Sequence, residues 1–434
     1  MLDRLPWTLR AYRLAMTAAT PLAPLVLSYR LRRGKEEPSR LGERRGETGI
    51  ARPSGALIWV HGASVGEITA VLPLIERIRA EGFRVLLTSG TVTAAEVAQQ
   101  RLPPEVIHQF VPLDAPRFVN AFLDHWRPDL ALFVESDLWP NLVLTSAARK
   151  IPLVLVNGRL SQRSFSRWGS IPKTIGALLK RLDLCLAQSE ADAKRYAKLG
   201  GPRVVMTGNL KLDGPAPPVD PAELRAIQSA VGARRTVAAA STHPGEETAV
   251  LDVHRRLRQR FPGLLTVIAP RHPNRGPAVA DLAASFGLTA ALRSRGEIPS
   301  LEIEIYVADT VGELGLVYRL APIVFMGGSL VGHGGQNPIE AAKLGAAILH
   351  GPNVWNFADI YSALDRAHGA EQVGDADMLA IRIGAWLADA AKREAVAETG
   401  RHTVEALGGA LERTLRALAP YFMQLRLERR SRDA

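Results

Sequence analysis

Cysteine is almost absent from this 434-residue sequence, which contains Cys185 alone. One cysteine cannot form a disulfide within the chain, and it excludes a metal site built from several thiolates. The ten histidines show no ligand spacing such as HExxH. The sequence therefore suits a reducing compartment, and no motif in it predicts a metal site.

Aromatic residues are also few, at 6% of the chain, and no motif typical of DNA- or RNA-binding proteins occurs. The chain nevertheless carries a net charge of +11, from 54 basic and 43 acidic residues. Without a nucleic-acid motif, this charge favours an anionic membrane surface or an anionic substrate as the partner. We therefore expect no nucleic acid among the partners.

The N-terminal segment, residues 1–48, lacks a long uninterrupted apolar run. Its uncharged stretch, residues 14–29, has 16 residues and is broken by Pro21 and Pro24, whereas a spanning helix needs roughly 20. We predict a membrane-anchor helix that spans marginally or lies kinked in the interface. Basic residues at 30–45 would attract anionic lipid there. The alternative is an ordinary amphipathic helix packed on the body.

From residue 49 onward, short apolar runs alternate with helical patterns, which predicts parallel sheets covered on both faces. The strands predicted for a first domain, 49–212, are 57–60, 84–88, 106–111, 130–134, 153–156, 184–187 and 204–207. A proline-rich linker follows at 213–221. The strands predicted for a second domain, 222–405, are 236–240, 264–269, 303–307, 323–326 and 346–349. Residues 406–434 are expected to form a helix and a basic tail.

The predicted fold is thus α/β, with two Rossmann-like domains in tandem. Such an arrangement places a cleft between the domains and ligands at the carboxyl ends of the strands. Residues that carry chemistry are therefore expected at these strand ends.

HGASVGE, at 61–67, follows the first predicted strand and ends in a carboxylate. Glu67 at the start of a helix is a candidate general base for a hydroxyl nucleophile. The alternative is a Glu that caps the helix and has no chemical role.

Two more strand ends in the first domain carry charge. Glu135 follows the strand at 130–134 and is a candidate for stabilising charge, while Asp137 is expected to cap the next helix. Lys211 lies at the end of the last strand, where a cation would balance a leaving phosphate. Arg159 and Arg163 follow the strand at 153–156 and are candidates for phosphate or carboxylate contacts, or else surface residues.

In the second domain, the stretch 326–342, MGGSLVGHGGQNPIEAA, reads as strand, glycine loop and helix start. Backbone N–H groups of such a loop approach phosphate closely, and the helix end adds partial positive charge. Glu340 in the first turn could accept hydrogen bonds from a ribose. Arg271 follows another strand and suits two phosphate oxygens. Gly312 opens a helix whose N–H groups could meet a base or ribose.

With these stretches in place, the chain resembles the 3-deoxy-D-manno-octulosonic acid (Kdo) transferases over nearly its whole length. The motifs that carry the resemblance, in the family's order and spacing, are HGASVGE, ESDLWPNL, NGRLSQRS, GNLKLD, STHPGEE, PRHPNR, DTVGEL and GGSLVGHGGQNPIEAA.

The resemblance implies a metal-independent, inverting glycosyltransferase of the glycosyltransferase-B fold that moves Kdo from CMP-Kdo to a lipid A precursor, lipid IVA. By position, Glu67 matches the family's general base, and Glu135 and Lys211 match positions that stabilise the transition state. The positions that match CMP-binding segments are Pro270, Arg271, Gly312, Glu313, Leu314, Asn337, Pro338, Ile339 and Glu340.

It also implies an enzyme of lipopolysaccharide synthesis at the inner membrane, in contact with anionic lipids, with its catalytic domains on the cytoplasmic side. It implies no cofactor beyond the donor substrate. Two other hypotheses stay open at this point. One keeps the fold and changes the reaction to that of a UDP-sugar glycosyltransferase or a 2-epimerase, and the other is a membrane-associated protein without enzymatic activity.

Overall fold

The computed structural model describes the backbone of residues 5–433 and the side chains of residues 5–428. The chain divides into two compact units. Unit 1 is Met1–Gly214 with Gly408–Ala434, and unit 2 is Pro215–Leu407. The side chains of the basic tail from Arg429 on lie outside the described residues.

Unit 1 contains a seven-stranded sheet in which all strands run parallel. Its strands are β1 (Leu57–His61), β2 (Arg84–Ser89), β3 (Ile107–Phe110), β4 (Leu130–Val134), β5 (Leu153–Gly158), β6 (Leu184–Ala187) and β7 (Val204–Met206). Their order is β3-β2-β1-β4-β5-β6-β7. Every residue of β1 and β4 is buried, which explains their uninterrupted apolar sequences.

Helices cover both faces of this sheet. They are α1 (Trp7–Ala19), α2 (Ala23–Arg32), α3 (Val65–Ala80), α4 (Val92–Arg101), α5 (Pro116–Trp126), α6 (Pro140–Ala148), α7 (Gln162–Gly169), α8 (Pro172–Leu179) and α9 (Glu190–Lys198). Ser64, Thr91 and Ser189 each cap a helix with a side-chain oxygen, as their positions before apolar periodic segments predict. Two apolar cores, one on each face, result.

The N-terminal segment forms two short helices and not one continuous helix. A 3₁₀ turn, Thr20–Leu22, separates α1 of 13 residues from α2 of 10 residues. Pro21 and Pro24 occupy early positions of the turn and of α2, because proline lacks the N–H that a helix interior requires. Within residues 5–433, no helix is both long and apolar enough to cross a membrane.

Unit 2 repeats the architecture with a second parallel seven-stranded sheet. Its strands are β8 (Thr236–Thr242), β9 (Leu265–Pro270), β10 (Ala290–Leu292), β11 (Ile305–Val307), β12 (Ile323–Met326), β13 (Ala347–His350) and β14 (Ala370–Gln372), in the order β10-β11-β9-β8-β12-β13-β14. The predicted parallel α/β fold is confirmed. The sequence analysis missed β10 and β14, which are three-residue strands at the sheet edges.

The helices of unit 2 are α10 (Pro221–Val231), α11 (Glu246–Leu257), α12 (Gly276–Ser285), α13 (Leu314–Leu320), α14 (Ile339–Lys343), α15 (Ala358–Ala367), α16 (Ala376–Ala388) and α17 (Ala390–Ala406). Gly315 of α13 lies against the proline-rich segment, because a Cβ there would meet the carbonyl oxygen of Pro218 at 2.2 Å. The side chain of Arg319 donates to the carbonyl of Pro217 at 2.8 Å. Residues 217–218 are therefore packed against unit 2.

The last helix, α18 (Ala410–Asp433), belongs to unit 1 although it follows all of unit 2 in sequence. The carboxylate of Asp213 accepts hydrogen bonds from the N–H groups of Gly409 and Leu411, and so caps the helix. Phe422 packs against Phe83 with 5.2 Å between ring centroids. The helix thus completes one apolar core of unit 1.

In each sheet the direction of strand succession reverses once near the middle. In unit 1 the reversal lies between β1 and β4, and in unit 2 between β8 and β12. Loops that leave the carboxyl ends of two such strands diverge and open a crevice, which is where open α/β sheets bind ligands. Most of the predicted site residues lie on loops at or next to these two reversals.

Candidate active site

Glu67 stands in the first turn of α3, directly after β1. Its N–H and the Oγ of the cap residue Ser64 are 3.4 Å apart. Its carboxylate accepts the Ser64 hydroxyl at 2.8 Å and the N–H of Ala63 at 2.7 Å. This is a variant of the capping box, in which the carboxylate accepts the N–H of Ala63, one residue before the N-cap. The capping alternative therefore describes the local structure correctly. It leaves the chemical role open, because a carboxylate offers about four acceptor positions and these two contacts use two.

Burial raises the pKa of Glu67 above its usual 4.5. Hydrogen bonds from Ser64 and Ala63 favour the charged form, but they are outweighed by burial together with the negative charges of Glu135 and Asp137. A carboxylate with a raised pKa is a stronger base than one in water, which is what proton abstraction requires.

Glu135 and Lys211, predicted from separate motifs, form an ion pair with 2.6 Å between Oε1 and Nζ. Glu135 follows β4 with a φ of 59°, a left-handed conformation that non-glycine residues adopt at a cost of about 1–3 kcal/mol. Lys211 lies in a 3₁₀ turn after β7. A Cβ placed on Gly66 would be 4.0 Å from the ammonium nitrogen of Lys211. The ion pair therefore lies beside the first turn of α3, which contains Glu67.

Asp137 does not cap a helix, contrary to the prediction. The next helix, α6, begins at Pro140 and its N-cap residue, Trp139, makes no side-chain cap. Asp137 instead accepts a hydrogen bond from Nε2 of His61 at 3.1 Å. Although burial opposes ionisation, side-chain hydrogen bonds from His61 and Trp139 hold the pKa of Asp137 below its usual value.

The tautomer of His61 follows from its hydrogen bonds. Trp59 Nε1 donates to the Thr88 hydroxyl at 2.9 Å, and that hydroxyl lies 2.9 Å from Nδ1 of His61. Since the ionised carboxylate of Asp137 can only accept, Nε2 of His61 carries the hydrogen of that bond. The sequence analysis noted His61 only as the first residue of its motif.

The cap of α6 comes from a residue that the sequence analysis missed. The buried carboxylate of Asp114 accepts the N–H groups of Asn141 and Leu142 at 3.0 and 2.9 Å. Tyr12 of α1 also donates to it at 2.9 Å. Burial raises the pKa of Asp114 to about 6. Because Asp114 is distant from α6 in sequence, no local motif predicts that it caps this helix.

Arg159 and Arg163, which were predicted together, differ in their distance from the Glu135–Lys211 ion pair. The hydroxyl of Tyr196 lies within hydrogen-bond distance of the carbonyl oxygens of Arg159 and Glu135, at 3.1 and 3.2 Å, which brings the backbone of Arg159 next to the ion pair. Arg163 is exposed in the first turn of α7. Within residues 5–433, no hydrogen bond or ion pair links its side chain to Glu67, Glu135 or Lys211.

In unit 2, the predicted CMP-binding segments follow β9, β11 and β12 and lie at the carboxyl edge of the strands β11-β9-β8-β12. Pro270 ends β9, and the N–H of Arg271 donates to the carbonyl of Thr242 at 2.9 Å. The Arg271 side chain is exposed. Pro270 and Arg271 thus connect the ends of β9 and β8 and leave the guanidinium available to a ligand.

The segment 312–314 is held by a charge pair. Gly312 has a φ of 84°, and Leu314 begins α13. The carboxylate of Glu313 receives two hydrogen bonds from Arg293, at 2.5 and 2.6 Å, and one from Thr310. Although burial opposes ionisation, these contacts hold the pKa of Glu313 below its usual value. Its carboxylate is therefore engaged by protein groups, and the backbone of the segment is left to meet a ligand.

The glycine loop is occupied by a protein carboxylate. The N–H groups of Gly328, Ser329 and Leu330 donate to Glu246 at 2.7, 3.0 and 3.0 Å, and the N–H of His243 donates to it at 3.0 Å. The expectation that these loop amides contact phosphate is therefore wrong, because buried Glu246 of α11 takes the anion's place. The sequence analysis quoted its motif without assigning it a role.

The segment 337–340 follows this loop and forms the start of α14. Asn337 Oδ1 accepts the N–H of Ile339 at 3.1 Å. Pro338 and Ile339 are buried, while Glu340 is partly exposed in the first turn. This segment therefore offers a ligand the side chains of Asn337 and Glu340 at the end of β12.

Three histidines converge near Arg271, each just after a strand end or in the glycine loop. His243 stacks on His333 with 4.1 Å between ring centroids, and His272 meets His243 edge-on at 6.2 Å. Burial, these two neighbours and Arg271 lower the pKa of His243 to about 4. The sequence analysis considered only metal-ligand spacing and missed this cluster. Within residues 5–433, no group of three or more His, Cys, Asp or Glu is arranged to hold a metal ion.

The comparison with known proteins agrees with the order of motifs. The family model described as 3-Deoxy-D-manno-octulosonic-acid transferase (kdotransferase) matches residues 39–214. The chain is 35% identical to the 3-deoxy-D-manno-octulosonic acid transferase of Haemophilus influenzae over 88% of this chain and 91% of that protein. It is 33% identical to the enzyme of the same name from Bordetella pertussis, over 94% and 98%.

The chain belongs to the Kdo transferase family. It is accordingly a glycosyltransferase, and the family's activity is favoured over the UDP-sugar reactions that the fold alone would allow. A crystal structure of a putative UDP-N-acetylglucosamine 2-epimerase from Listeria monocytogenes shares the fold, with a TM-score of 0.61 and 15% identity over 86% of this chain and 98% of that one. This Kdo transferase therefore has the two-Rossmann architecture predicted from its sequence.

Proposed function

We propose that this glycosyltransferase moves Kdo from CMP-Kdo to a lipid A precursor, lipid IVA, with inversion at the anomeric carbon. The observation that carries the proposal is the Glu67 carboxylate, which is raised in pKa, held by two hydrogen bonds and adjacent to the Glu135–Lys211 pair. Family membership supplies the substrates by analogy.

In the proposed reaction, Glu67 accepts the proton of an acceptor hydroxyl. The oxygen's electron pair forms a bond to the anomeric carbon of Kdo, and the bond from that carbon to the CMP phosphate oxygen breaks. CMP leaves with the electron pair and one additional negative charge. Direct displacement by a hydroxyl on the face opposite the leaving group inverts the configuration.

The negative charge that develops on CMP requires cations. Arg271 is the candidate at the predicted CMP-binding segments of unit 2, and Lys211, beside Glu67 in unit 1, is the candidate for stabilising charge in the transition state. Arg271 is exposed, and no ion pair engages its guanidinium within the described part of the chain, so both of its edges can take phosphate oxygens. Fixed positive charge of this kind stabilises a transition state without a metal ion. We accordingly propose a metal-independent reaction, which predicts unchanged transfer in the presence of EDTA.

We further propose that the protein works at the cytoplasmic face of the inner membrane, in contact with anionic lipids. Support comes from α1 and α2, where Trp7, Leu14 and Leu25 are 75%, 71% and 69% exposed. Exposed apolar residues beside arginines favour an interface that contains anionic lipid. Sedimentation with vesicles that contain phosphatidylglycerol, compared with neutral vesicles, tests this part.

The decisive experiment is a transfer assay. Purified full-length protein in detergent receives CMP-Kdo and a tetraacylated, bisphosphorylated lipid A precursor, and mass spectrometry counts the sugars added. UDP-N-acetylglucosamine replaces CMP-Kdo in a parallel reaction. We expect transfer from CMP-Kdo alone. Transfer from the UDP-sugar, or no binding of CMP, would contradict the proposal.

Two variants test the donor site. Arg271→Ala should raise KM for CMP-Kdo about tenfold or more, because a charge-assisted bidentate contact is lost. Arg255→Ala removes an exposed arginine of α11 elsewhere in the same unit and should leave KM unchanged. Equal effects in the two variants would remove Arg271 from the proposed site.

A further inference from the structure

A cavity of about 500 Å³ lies in unit 1 between the N-terminal helices and the body of the unit. Its outer wall is formed by α1, the 3₁₀ turn and α2, and includes Ala19, Leu22 and Val26. Its inner wall includes Val111, after β3, and Phe118 of α5. The lining is predominantly apolar, and the volume lies in the range of small-molecule pockets, roughly 300–1,000 Å³.

Polar contacts fasten the outer wall to the body. The Tyr12 hydroxyl of α1 donates to Asp114 at 2.9 Å. Arg30 of α2 donates to Glu36 at 2.6 Å, and the buried Arg44 donates to the other oxygen of Glu36 at 2.8 Å. Breaking a buried charge pair of this kind is costly because one charge is left uncompensated. The cavity is therefore a defined feature of the folded unit.

The cavity lies next to the proposed base. Ala63 and Asp137 are among its lining residues. The N–H of Ala63 donates to Glu67 at 2.7 Å, so a lining residue and the base are joined by a hydrogen bond. A molecule bound in the cavity can therefore reach the vicinity of the Glu67 carboxylate.

We infer that this cavity binds one acyl chain of the acceptor lipid and thereby presents the acceptor's sugar to Glu67. The inference rests on the proposed function, because it takes the acceptor to be an acylated sugar. It goes further in assigning the chain a site within unit 1 that does not include the exposed Leu14 and Leu25.

The distribution of polarity selects this occupant. Most of the lining is apolar, and its charged members are Arg30, Arg44, Asp114 and Asp137. The cavity is open to solvent beside Leu22 and Val26, which are 54% and 46% exposed, whereas Phe118 on the inner wall is buried. A polar ligand would leave hydrogen-bonding groups unpaired against the buried apolar wall, which is costly. An amphiphile suits this lining, with its chain against the apolar residues and its polar group beside the charged ones.

Two variants that replace an alanine by phenylalanine test the site. Ala19→Phe adds a ring at a position that lines the cavity, whereas Ala18→Phe adds the same ring at the neighbouring position, which does not line it; both alanines are exposed. Ala19→Phe should raise KM for the tetraacylated acceptor about tenfold, since displacing even one or two methylenes has an effect of that size. Its KM for CMP-Kdo should stay the same, and Ala18→Phe should match the wild type.

A deacylated acceptor separates this inference from the proposed function. With the bisphosphorylated disaccharide that carries no acyl chains, Ala19→Phe and the wild type should transfer Kdo equally. If the wild type transfers Kdo but Ala19→Phe impairs both acceptors to the same degree, the acyl site is wrong and the function stands. If neither acceptor receives Kdo from the wild type, the proposed function itself fails.

Photo-crosslinking gives a readout that does not depend on transfer. The wild type is irradiated with a lipid IVA analogue that carries a diazirine in the middle of one acyl chain, and labelled peptides are identified by mass spectrometry. We expect label near Val26 and Phe118, reduced in Ala19→Phe. Label confined to the outward-facing Leu14 and Leu25 would instead mean surface adsorption and would overturn the inference.

Discussion

The ammonium group of Lys211 lies 2.6 Å from the carboxylate of Glu135, although 76 residues separate the two in sequence. Both side chains are largely buried, with 18% and 14% exposed. Removing either partner leaves the other charge uncompensated, which typically costs about 3–5 kcal/mol. The Glu135–Lys211 ion pair therefore contributes to the stability of unit 1 and also holds in place the Lys211 charge that the proposed reaction uses.

A double-mutant cycle with Lys211→Met and Glu135→Gln should accordingly show a coupling free energy of about 1–3 kcal/mol in urea unfolding of unit 1. The control cycle uses Glu190 and Lys194, an exposed pair at 3.6 Å on α9, for which about 0–0.5 kcal/mol is expected. Similar coupling in the two cycles would mean that the Glu135–Lys211 contact is no stronger than a surface pair.

Glu67→Gln should reduce kcat by about 10²- to 10⁴-fold, the usual contribution of a general base. The glutamine can still accept from the Ala63 N–H and donate to Ser64, so the cap of α3 is kept and CMP-Kdo affinity should not change. Glu76→Gln, at an exposed position of the same helix, is the matched control. A Glu67→Gln enzyme with normal kcat would assign the carboxylate to capping alone.

The pH dependence of transfer should report the raised pKa of Glu67. Since the base must be ionised, kcat/KM should rise with pH through a midpoint above 4.5, the usual value, and this limb should be absent in Glu67→Gln. A raised folded-state pKa also means that ionisation opposes folding. The stability of the wild type relative to Glu67→Gln should be highest below pH 4.5 and should fall as pH passes through the folded-state pKa. A midpoint at or below 4.5 would contradict this.

Glu246→Gln should weaken CMP binding about tenfold or more, although the residue is not proposed to touch CMP. The amide NH2 would face two of the four N–H groups that the carboxylate now accepts, which leaves the glycine loop without its anchor. Isothermal titration with CMP measures the effect. Asp252→Asn, on the same helix α11 and paired with Arg255 and Arg256, should bind CMP normally. Normal affinity in Glu246→Gln would show that the loop is ordered by other contacts.

Tyr12→Phe should loosen α1 from the body of unit 1, because Asp114 loses one of its three donors at a cost of about 1 kcal/mol. Hydrogen exchange of the amides in Trp7–Ala19 should become faster. Tyr29→Phe, on the exposed face of α2, should leave that exchange unchanged. Equal protection in Tyr12→Phe and the wild type would mean that apolar packing alone holds the helix.

Many strands and the order of motifs could be read from the sequence, because buried parallel strands are uninterrupted apolar runs and helix starts carry local caps. The edge strands β10 and β14 were missed because their sequences, AAL and AEQ, contain no β-branched or aromatic residue, whereas the equally short β7 and β11, VVM and IYV, were predicted. For the N-terminal segment a marginally spanning or a kinked anchor helix was predicted, and the structure divides the segment into two helices at Pro21 and Pro24.

By itself, the sequence determined the parallel α/β architecture, the family and the candidate residues Glu67, Glu135 and Lys211, because each of these depends on local patterns or on motif order. Only the tertiary structure decided that Glu135 pairs with Lys211, that Asp137 meets His61 and that Glu246 fills the glycine loop. Each of these contacts joins residues that are distant in sequence. A buried charge is stable only beside an opposite charge or N–H donors, and the tertiary fold determines which of these groups lie next to it.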